Sequence, residues 1–389
     1  LAQGAMFMTE QQAGSDVGAV ETTARRENGA WVLTGDKWFC SNPDAELAMV
    51  LARPEEGGAG TRGLSLFLVP ATRPDGTPNA RRIIRLKDKL GTRSMASGEV
   101  RLEGAFAWLV GDPGQGFKQM TDMINMSRLS NGLRAAGLMR RSVHEALFVA
   151  RNRTAFGGRV IDKPLMRRQI AKMLVTAEQG RAMCFHTAHV LARADAGDAA
   201  MQKCLRILTP LLKFRTCRDA RKVAGDAMEA RGGCGYIEEW SDARVLRDAH
   251  LGSIWEGTSN IVALDVARAT RREGALDALE AHLSELLEVP PEAGRAPLAA
   301  ALSRACALMR RVAGTPEREA DTRRAATAVY DAASAVLLAW QAARIGEAGA
   351  HRAELARMVV DHKLTPQDPL DPPEADEAAV TRVLAAAAP

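Results

Sequence analysis

Residues 117–158, FKQMTDMINMSRLSNGLRAAGLMRRSVHEALFVARNRTAFGG, decide the fold class. Met120, Ile124, Leu129, Leu133, Leu138, Val143, Leu147 and Val149 recur at the spacing of one helical face, and the run closes near Gly157-Gly158. Upstream the period is different. Trp31-Val32-Leu33-Thr34, Leu47-Ala48-Met49-Val50-Leu51 and Leu64-Ser65-Leu66-Phe67-Leu68-Val69 are short runs separated by Gly, Pro, Asn and Asp, the pattern of strands. Asn28-Gly29 marks a tight hairpin turn. The spacing suggests a small sandwich or barrel rather than βαβ units. Downstream, a second helix opens at Pro164 and runs to about Ala194. A third covers roughly 199–230, with Pro210 marking a kink or break, and stops at Gly232-Gly233. A fourth begins near Ser259 and continues past Arg272; four such helices make a bundle. From about 275 the chain is Ala-rich and helical, interrupted at Pro290-Pro291 and around Pro366 to Pro373, with a closing Ala-rich tail expected to be disordered. The expectation is an α+β multidomain chain: a β-sandwich or barrel over 1–110, a helical bundle over 111–274 and a helical C-terminal extension over 275–389.

A chain of 389 residues exceeds what one hydrophobic core usually serves. Its 47% hydrophobic and 25% charged content is ordinary for a soluble protein, and no apolar run reaches the roughly 18–20 residues that cross a bilayer, so no membrane insertion is expected. Six scattered cysteines without a C-x-x-C pair suit a reducing cytoplasm. The start, Leu1-Ala2-Gln3-Gly4, has neither an initiator Met nor a signal region and reads as a chain joined in the middle. Charge is uneven. Residues 275–389 carry 12 Lys and Arg against 17 Asp and Glu, a net of −5, which leaves +10 for residues 1–274 of a chain whose total is +5. A basic front suits a phosphate-bearing small molecule, nucleic acid or simply solvent, and charge does not choose among them. His186 and His189 lie three apart on a helix without an evident third ligand, so no metal site is expected. No G-x-G-x-x-G or G-x-S-x-G is present.

Five stretches carry chemistry. Met8-Thr9-Glu10-Gln11-Gln12-Ala13-Gly14-Ser15-Asp16 is a polar turn rich in hydroxyls. Gly35-Asp36-Lys37-Trp38-Phe39-Cys40-Ser41-Asn42 is an aromatic strand ending in a hydroxyl, suited to a planar ring or to core packing. Arg153-Thr154-Ala155-Phe156-Gly157 places a guanidinium, able to grip a pyrophosphate, beside a Gly-rich turn. In Glu229-Ala230-Arg231-Gly232-Gly233-Cys234-Gly235-Tyr236 the glycines serve close approach to a ligand or a helix cap. In Ile254-Trp255-Glu256-Gly257-Thr258-Ser259-Asn260 a carboxylate beside an indole has either the raised pKa of a general base or the role of a helix-dipole partner.

In order and spacing, the series M-T-E-x-x-x-G-S-D, W-F-x-S, R-x-x-F-G, G-G-x-G-Y and W-E-G-T-S-N resembles the acyl-CoA dehydrogenase family over about residues 1–272. The resemblance implies a β domain and a helical bundle that hold FAD. It implies that Met6, Phe7, Met8 and Thr9 line the flavin ring, that Ser15 is shared by flavin and CoA, and that Phe39, Cys40 and Ser41 lie against the ring and its N5 edge. Arg153 and Phe156 resemble the pair that reaches the FAD of a neighbouring subunit, implying a homo-oligomer, dimer or tetramer. Gly232 and Gly233 fall in the loop near the FAD phosphates, and Thr258 and Asn260 resemble further FAD contacts. Glu256 aligns with the catalytic base and Arg128 with a substrate-pocket arginine.

Three departures stand out: Glu229 where most members carry Gln, Trp255 for the usual Tyr, and the expected absence of the N-terminal helical domain that closes part of the acyl pocket. Arg153 to Gly157, Met228-Glu229-Ala230, Ser253 to Gly257, Leu264-Asp265-Val266 and the long extension resemble the bacterial alkylation-response branch. The implied activity is α,β-dehydrogenation of an acyl-CoA thioester, weak in that branch, with an electron-transfer flavoprotein as acceptor. The alternative is a flavin-containing DNA-binding protein with a vestigial dehydrogenase site. The acidic balance of 275–389 points to weak DNA binding at most.

Overall fold

The computed structural model describes residues 1–368, 370 and 376–387. The chain forms two compact units, 1–126 and 127–389.

The first unit is built on seven strands: β1 (Gly4–Phe7), β2 (Thr23–Glu27), β3 (Ala30–Ser41), β4 (Leu47–Pro54), β5 (Ser65–Pro70), β6 (Arg81–Leu86) and β7 (Ser97–Val110). They run β4-β2-β3-β7-β5, and β5 returns to pair with β4, so the sheet closes into a barrel-like ring; β1 joins parallel to β4, and β6 flanks β7. Closure removes edges that would otherwise need covering. Asn28 and Gly29, both at positive φ (49° and 82°), make the two-residue hairpin that aligns Glu27 with Ala30. This is the turn geometry whose twist matches the flanking strands. A bulge interrupts the β3–β7 register between Lys37 and Cys40. The extra residue lets Lys37 and Cys40 both point inward while Phe39 and Ser41 face out.

The second unit is helical. α1 (Gly116–Asn152) enters it, followed by a small hairpin of β8 (Thr154–Ala155) and β9 (Gly158–Arg159). Then come α2 (Pro164–Asp195), α3 (Ala199–Arg231), α4 (Gly233–Tyr236), α5 (Ser241–Leu251) and α6 (Ser259–Glu273). α7 (Ala275–Leu286), α8 (Glu292–Gly314), α9 (Thr322–Ile345), α10 (Ala350–Val359) and α11 (Glu377–Ala386) complete it. One apolar core runs through all of it, from Leu129 to Leu384. α9 is its centre: it touches α2, α3, α6, α7, α8 and α10, and every residue from Val329 to Ala339 is buried. Asp198 caps α3 by accepting from Ala200 N and Met201 N at 3.1 Å, and Gly274 closes α6 in the left-handed conformation.

Four expectations change. α1 ends at Asn152 rather than near Gly157, because Phe156 (φ 52°) and Gly157 (φ 73°) form the turn of the β8–β9 hairpin. α3 runs through Pro210 without a break. α5 fills a stretch that carried no assigned element. The tail is not disordered over 377–386: Asp376 caps α11 through Ala379 N at 2.8 Å, and Ala379, Val383 and Leu384 are buried. Part of the Pro366 to Pro373 interruption, namely residues 369 and 371–373, lies outside the described residues.

Candidate active site

The turn between α5 and α6 holds the expected base. Glu256 is a non-glycine residue at φ 54°, followed by Gly257 at 95°. Such backbone costs energy and persists only where surroundings over-determine it. Here two cations grip the turn by its carbonyls. Buried Lys213 of α3 donates to the Gly257 carbonyl, and Arg128 of α1 reaches the Glu256 carbonyl at 3.4 Å. Arg128 is held in turn by Asp265 of α6 at 2.6 Å, and Asp265 by Arg206 at 2.7 Å. Burial pushes Lys213 down to about 8.

The Glu256 side chain is treated differently from its backbone. Its Oε2 is buried with no hydrogen-bond partner among the described residues. Burial raises the carboxyl pKa, while a hydrogen bond from Ser127 and the charges of Lys213 and Arg128 only partly offset it. The Trp255 indole beside it also has a buried, unpartnered Nε1, and the Arg134 guanidinium lies 5.6 Å from the ring centre. The result is a desolvated carboxyl with one oxygen free to take a proton.

Motifs three and four meet. Arg153, exposed at the end of α1, brings Nη1 to 3.5 Å from where a Cβ on Gly232 would stand. Gly232, at φ 75°, caps α3 and opens α4; Gly233 has open space around it. Gly235 packs on the Met228 carbonyl so tightly that a Cβ would lie 2.2 Å from its oxygen. Phe156, at the hairpin tip, is 94% exposed. Thr258 is the N-cap residue of α6 and Asn260 lies in its first turn, both exposed. Glu229 is exposed.

In the β unit, Met8 to Asp16 and Gly35 to Ser41 are tied by a buried ion pair. Lys37 Nζ lies 2.7 Å from Glu10 Oε1, and Glu10 also accepts from Thr22 N, Thr22 Oγ1, Glu21 N and Gln12 Nε2. Lys37 further donates to Leu51 O, and Trp38 N to Thr9 O. Phe39 is 57% exposed with Ser41 on the same side, and Lys87 Nζ lies 3.2 Å from the Trp38 ring centre and 5.0 Å from that of Phe39. Met6, Met8 and Thr9 are half-buried and Ser15 is exposed.

Two expected flavin contacts turn their side chains inward. The side chains of Phe7 and Cys40, 0% and 1% exposed, point into the barrel core, because strand alternation and the bulge turn them from the face of their neighbours. Only their main chain remains available. Arg128, expected to line a substrate pocket, is engaged by Asp265 and the Glu256 carbonyl. Sequence reasoning missed Lys213, Ser127, Lys37 and the role of Glu10. The available signal was a lysine inside an apolar run, Leu211-Leu212-Lys213-Phe214.

His186 has a third histidine as its neighbour. His186 Nε2 lies 3.0 Å from His282 Nε2, and among the described residues no three His, Cys, Asp or Glu side chains are grouped to hold a metal. No helix of the described residues is long and apolar enough to cross a membrane.

The domain model "Acyl-CoA dehydrogenase, middle domain" matches residues 5–105, and "Acyl-CoA dehydrogenase, C-terminal domain" matches 114–270. The chain belongs to the acyl-CoA dehydrogenase family. It is 41% identical over 284 residues to AidB of Escherichia coli (strain K12), covering 72% of this chain and 51% of AidB. It is 31% identical over 275 residues to cyclohexane-1-carbonyl-CoA dehydrogenase of Geobacter metallireducens, covering 70% and 68%. Among solved structures, ACDH-11 of Caenorhabditis elegans in complex with C11-CoA superposes with a TM-score of 0.86 at 30% identity, over 93% of this chain and 65% of that one. The chain spans about half the length of AidB.

Proposed function

We propose that this chain is the catalytic part of an FAD-dependent acyl-CoA dehydrogenase acting on the α,β bond of an acyl-CoA thioester, with Glu256 as the general base. The observation that carries the reading is the buried, unpartnered Oε2 of Glu256 in a turn held by Lys213 and Arg128. The residues present fit a flavin: Phe39 offers an exposed aromatic face beside the Ser41 hydroxyl, and Gly233 leaves open space next to Arg153 and Gly232. When bound, FAD would supply the hydride acceptor.

Met6, Met8, Thr9 and Ser15 would hold FAD from the β domain (1–110), with Phe39, Ser41 and the main chain of Phe7 and Cys40. Arg153, Phe156, Gly232, Gly233, Thr258 and Asn260 would contribute from the bundle (111–274), and 275–389 is a helical extension to it. Ser15 would also meet the CoA. Glu256 would take the α proton on Oε2 as the β hydrogen leaves as hydride. The Glu256 pKa, raised above 4.5 by burial, brings it toward the operating range of a base. Lys213 and Arg128 would hold the base at its strained angle, so they are positioning residues. The exposed tip at Phe156 suits contact with a second subunit, and the acceptor would be an electron-transfer flavoprotein in the cytoplasm.

The test is anaerobic mixing of the FAD-reconstituted protein with short, branched and long acyl-CoAs, following flavin bleaching. Glu256→Gln keeps the shape and removes the basicity, so FAD stays bound while bleaching slows by about 10²–10⁴-fold. Equal bleaching by both proteins removes Glu256 from the mechanism.

A further inference from the structure

Loop 232–240 joins α3 to α5, and one side chain fastens its two ends to each other. Arg231, the last residue of α3, is 8% exposed, and Asp242, in the first turn of α5, is 5% exposed. Asp242 Oδ2 lies 2.7 Å from Arg231 Nε. On the other arm, Arg231 Nη2 donates to Glu145 Oε2 of α1, whose Oε1 Arg141 reaches at 2.6 Å. The guanidinium also lies 4.8 Å from the ring centre of Trp240, at the far end of the loop. One planar fork therefore ties α1, α3 and α5 to both ends of the loop. A second tie lies further out, where Arg247 Nη2 of α5 donates to Glu238 Oε2 at 3.1 Å. Between these ties the loop is open. Within 232–240 only Gly235 is buried, Gly233 has space around it and Tyr236 is 80% exposed.

A buried arginine between two carboxylates is a poor source of stability, since desolvation offsets the attraction and apolar side chains of similar volume often do as well. What this arrangement fixes is geometry. A loop with so little burial of its own would lose conformational entropy on meeting a ligand. Ordering it within the fold removes that cost from binding. We propose that Arg231 is a positioning residue of the proposed cofactor site: it staples the base of loop 232–240, so that the main chain of Gly232 and Gly233 stands ordered before FAD arrives. In this role Arg231 acts through the loop and not on the cofactor. The identity of the ligand rests on the dehydrogenase reading; the staple itself does not.

Hydrogen exchange of the whole protein, read by mass spectrometry without and with FAD, tests this beside FAD titration and urea unfolding. The variants are Arg231→Lys and the combination Arg231→Met, Glu145→Gln and Asp242→Asn, which removes the staple without leaving a buried charge unpaired. In the combination, cofactor-free exchange over residues 233–240 should rise by about tenfold or more, and FAD should bind about tenfold or more weakly. Its urea midpoint and its exchange across α9 should stay near wild type. Arg231→Lys keeps the charge but not the fork, and should fall between wild type and the combination in both readouts. Loop exchange equal to wild type, or a loosened loop with unchanged FAD affinity, overturns the inference. So does exchange that rises evenly over α1, α3 and α5 with a collapsed urea midpoint, the mark of a general structural role. A wild type that binds no FAD, while its loop exchange still depends on Arg231, keeps the staple and removes the dehydrogenase reading.

Discussion

Glu10 in the β unit and Glu256 in the helical unit are the same side chain placed in turns, and they are treated in opposite ways. Both lose water. Glu10 receives Lys37 at 2.7 Å and four further donors, so burial raises its pKa but the ion pair and hydrogen bonds outweigh it, and the net shift is downward. Glu256 has cations on its own carbonyl and on that of Gly257 and keeps one carboxyl oxygen bare, so burial prevails and the shift is upward. A satisfied buried charge organises structure, while an unsatisfied one stores reactivity. The lesson is that the direction of partnering separates scaffold from chemistry, where residue type and burial do not.

Replacing each glutamate by glutamine should give opposite profiles. Glu256→Gln should lose about 10²–10⁴-fold in flavin reduction and little stability. Glu10→Gln leaves Lys37 buried without its counter-charge, so urea unfolding should report a loss of about 3–5 kcal/mol. If the two variants lost stability alike, the comparison would fail. Lys37→Met sharpens it: the carboxyl of Glu10, deprived of its cation, should move to the high side as Glu256 does, with a similar loss of stability. A Glu10 that still titrated low in that variant would show that the hydrogen bonds alone suffice.

A smaller effect extends the contrast to cations. His186 faces His282 at 3.0 Å, with His189 and the Trp340 ring also against it. Burial, then His282 and His189, push His186 down to about 3. His282 is also lowered, by burial foremost, with Arg193 and His189 opposed by Glu285 and Asp198. A depressed folded pKa means that the unfolded chain binds the proton more readily. The stability contributed is full above about pH 6.5 and is lost as pH falls toward 3. Unfolding of His186→Phe across that window should therefore fall less steeply with acid than wild type. Parallel curves would place the acid sensitivity elsewhere.

Much of this was legible as period. Strand alternation and the Asn28-Gly29 turn marked the barrel, and the 3.6-residue spacing from Met120 onward marked the bundle. Glu256 was singled out by the family resemblance, since its own string reads equally well as a helix-dipole partner. Lys213 and Lys37 were not, because a lone lysine reads as surface until the fold shows the carbonyl or carboxylate it reaches. The Lys213–Gly257 contact joins residues far apart in sequence through the packing of α3 against α6, which no local pattern encodes. α11 was read as part of a loose Ala-rich tail, although alanine fills only four of its ten positions. Its anchor is non-local: Arg151 of α1 donates to Leu384 O at 3.0 Å and Ala387 O at 2.9 Å.

The most direct measurement is the titration of the two carboxyls themselves, by carbon-detected NMR of protein labelled at the glutamate carboxyl carbon, with Glu10→Gln and Glu256→Gln used to assign the signals. The account predicts Glu256 titrating above the ordinary value of 4.5 and Glu10 below it. Coincident titrations, or Glu256 on the low side, would contradict it.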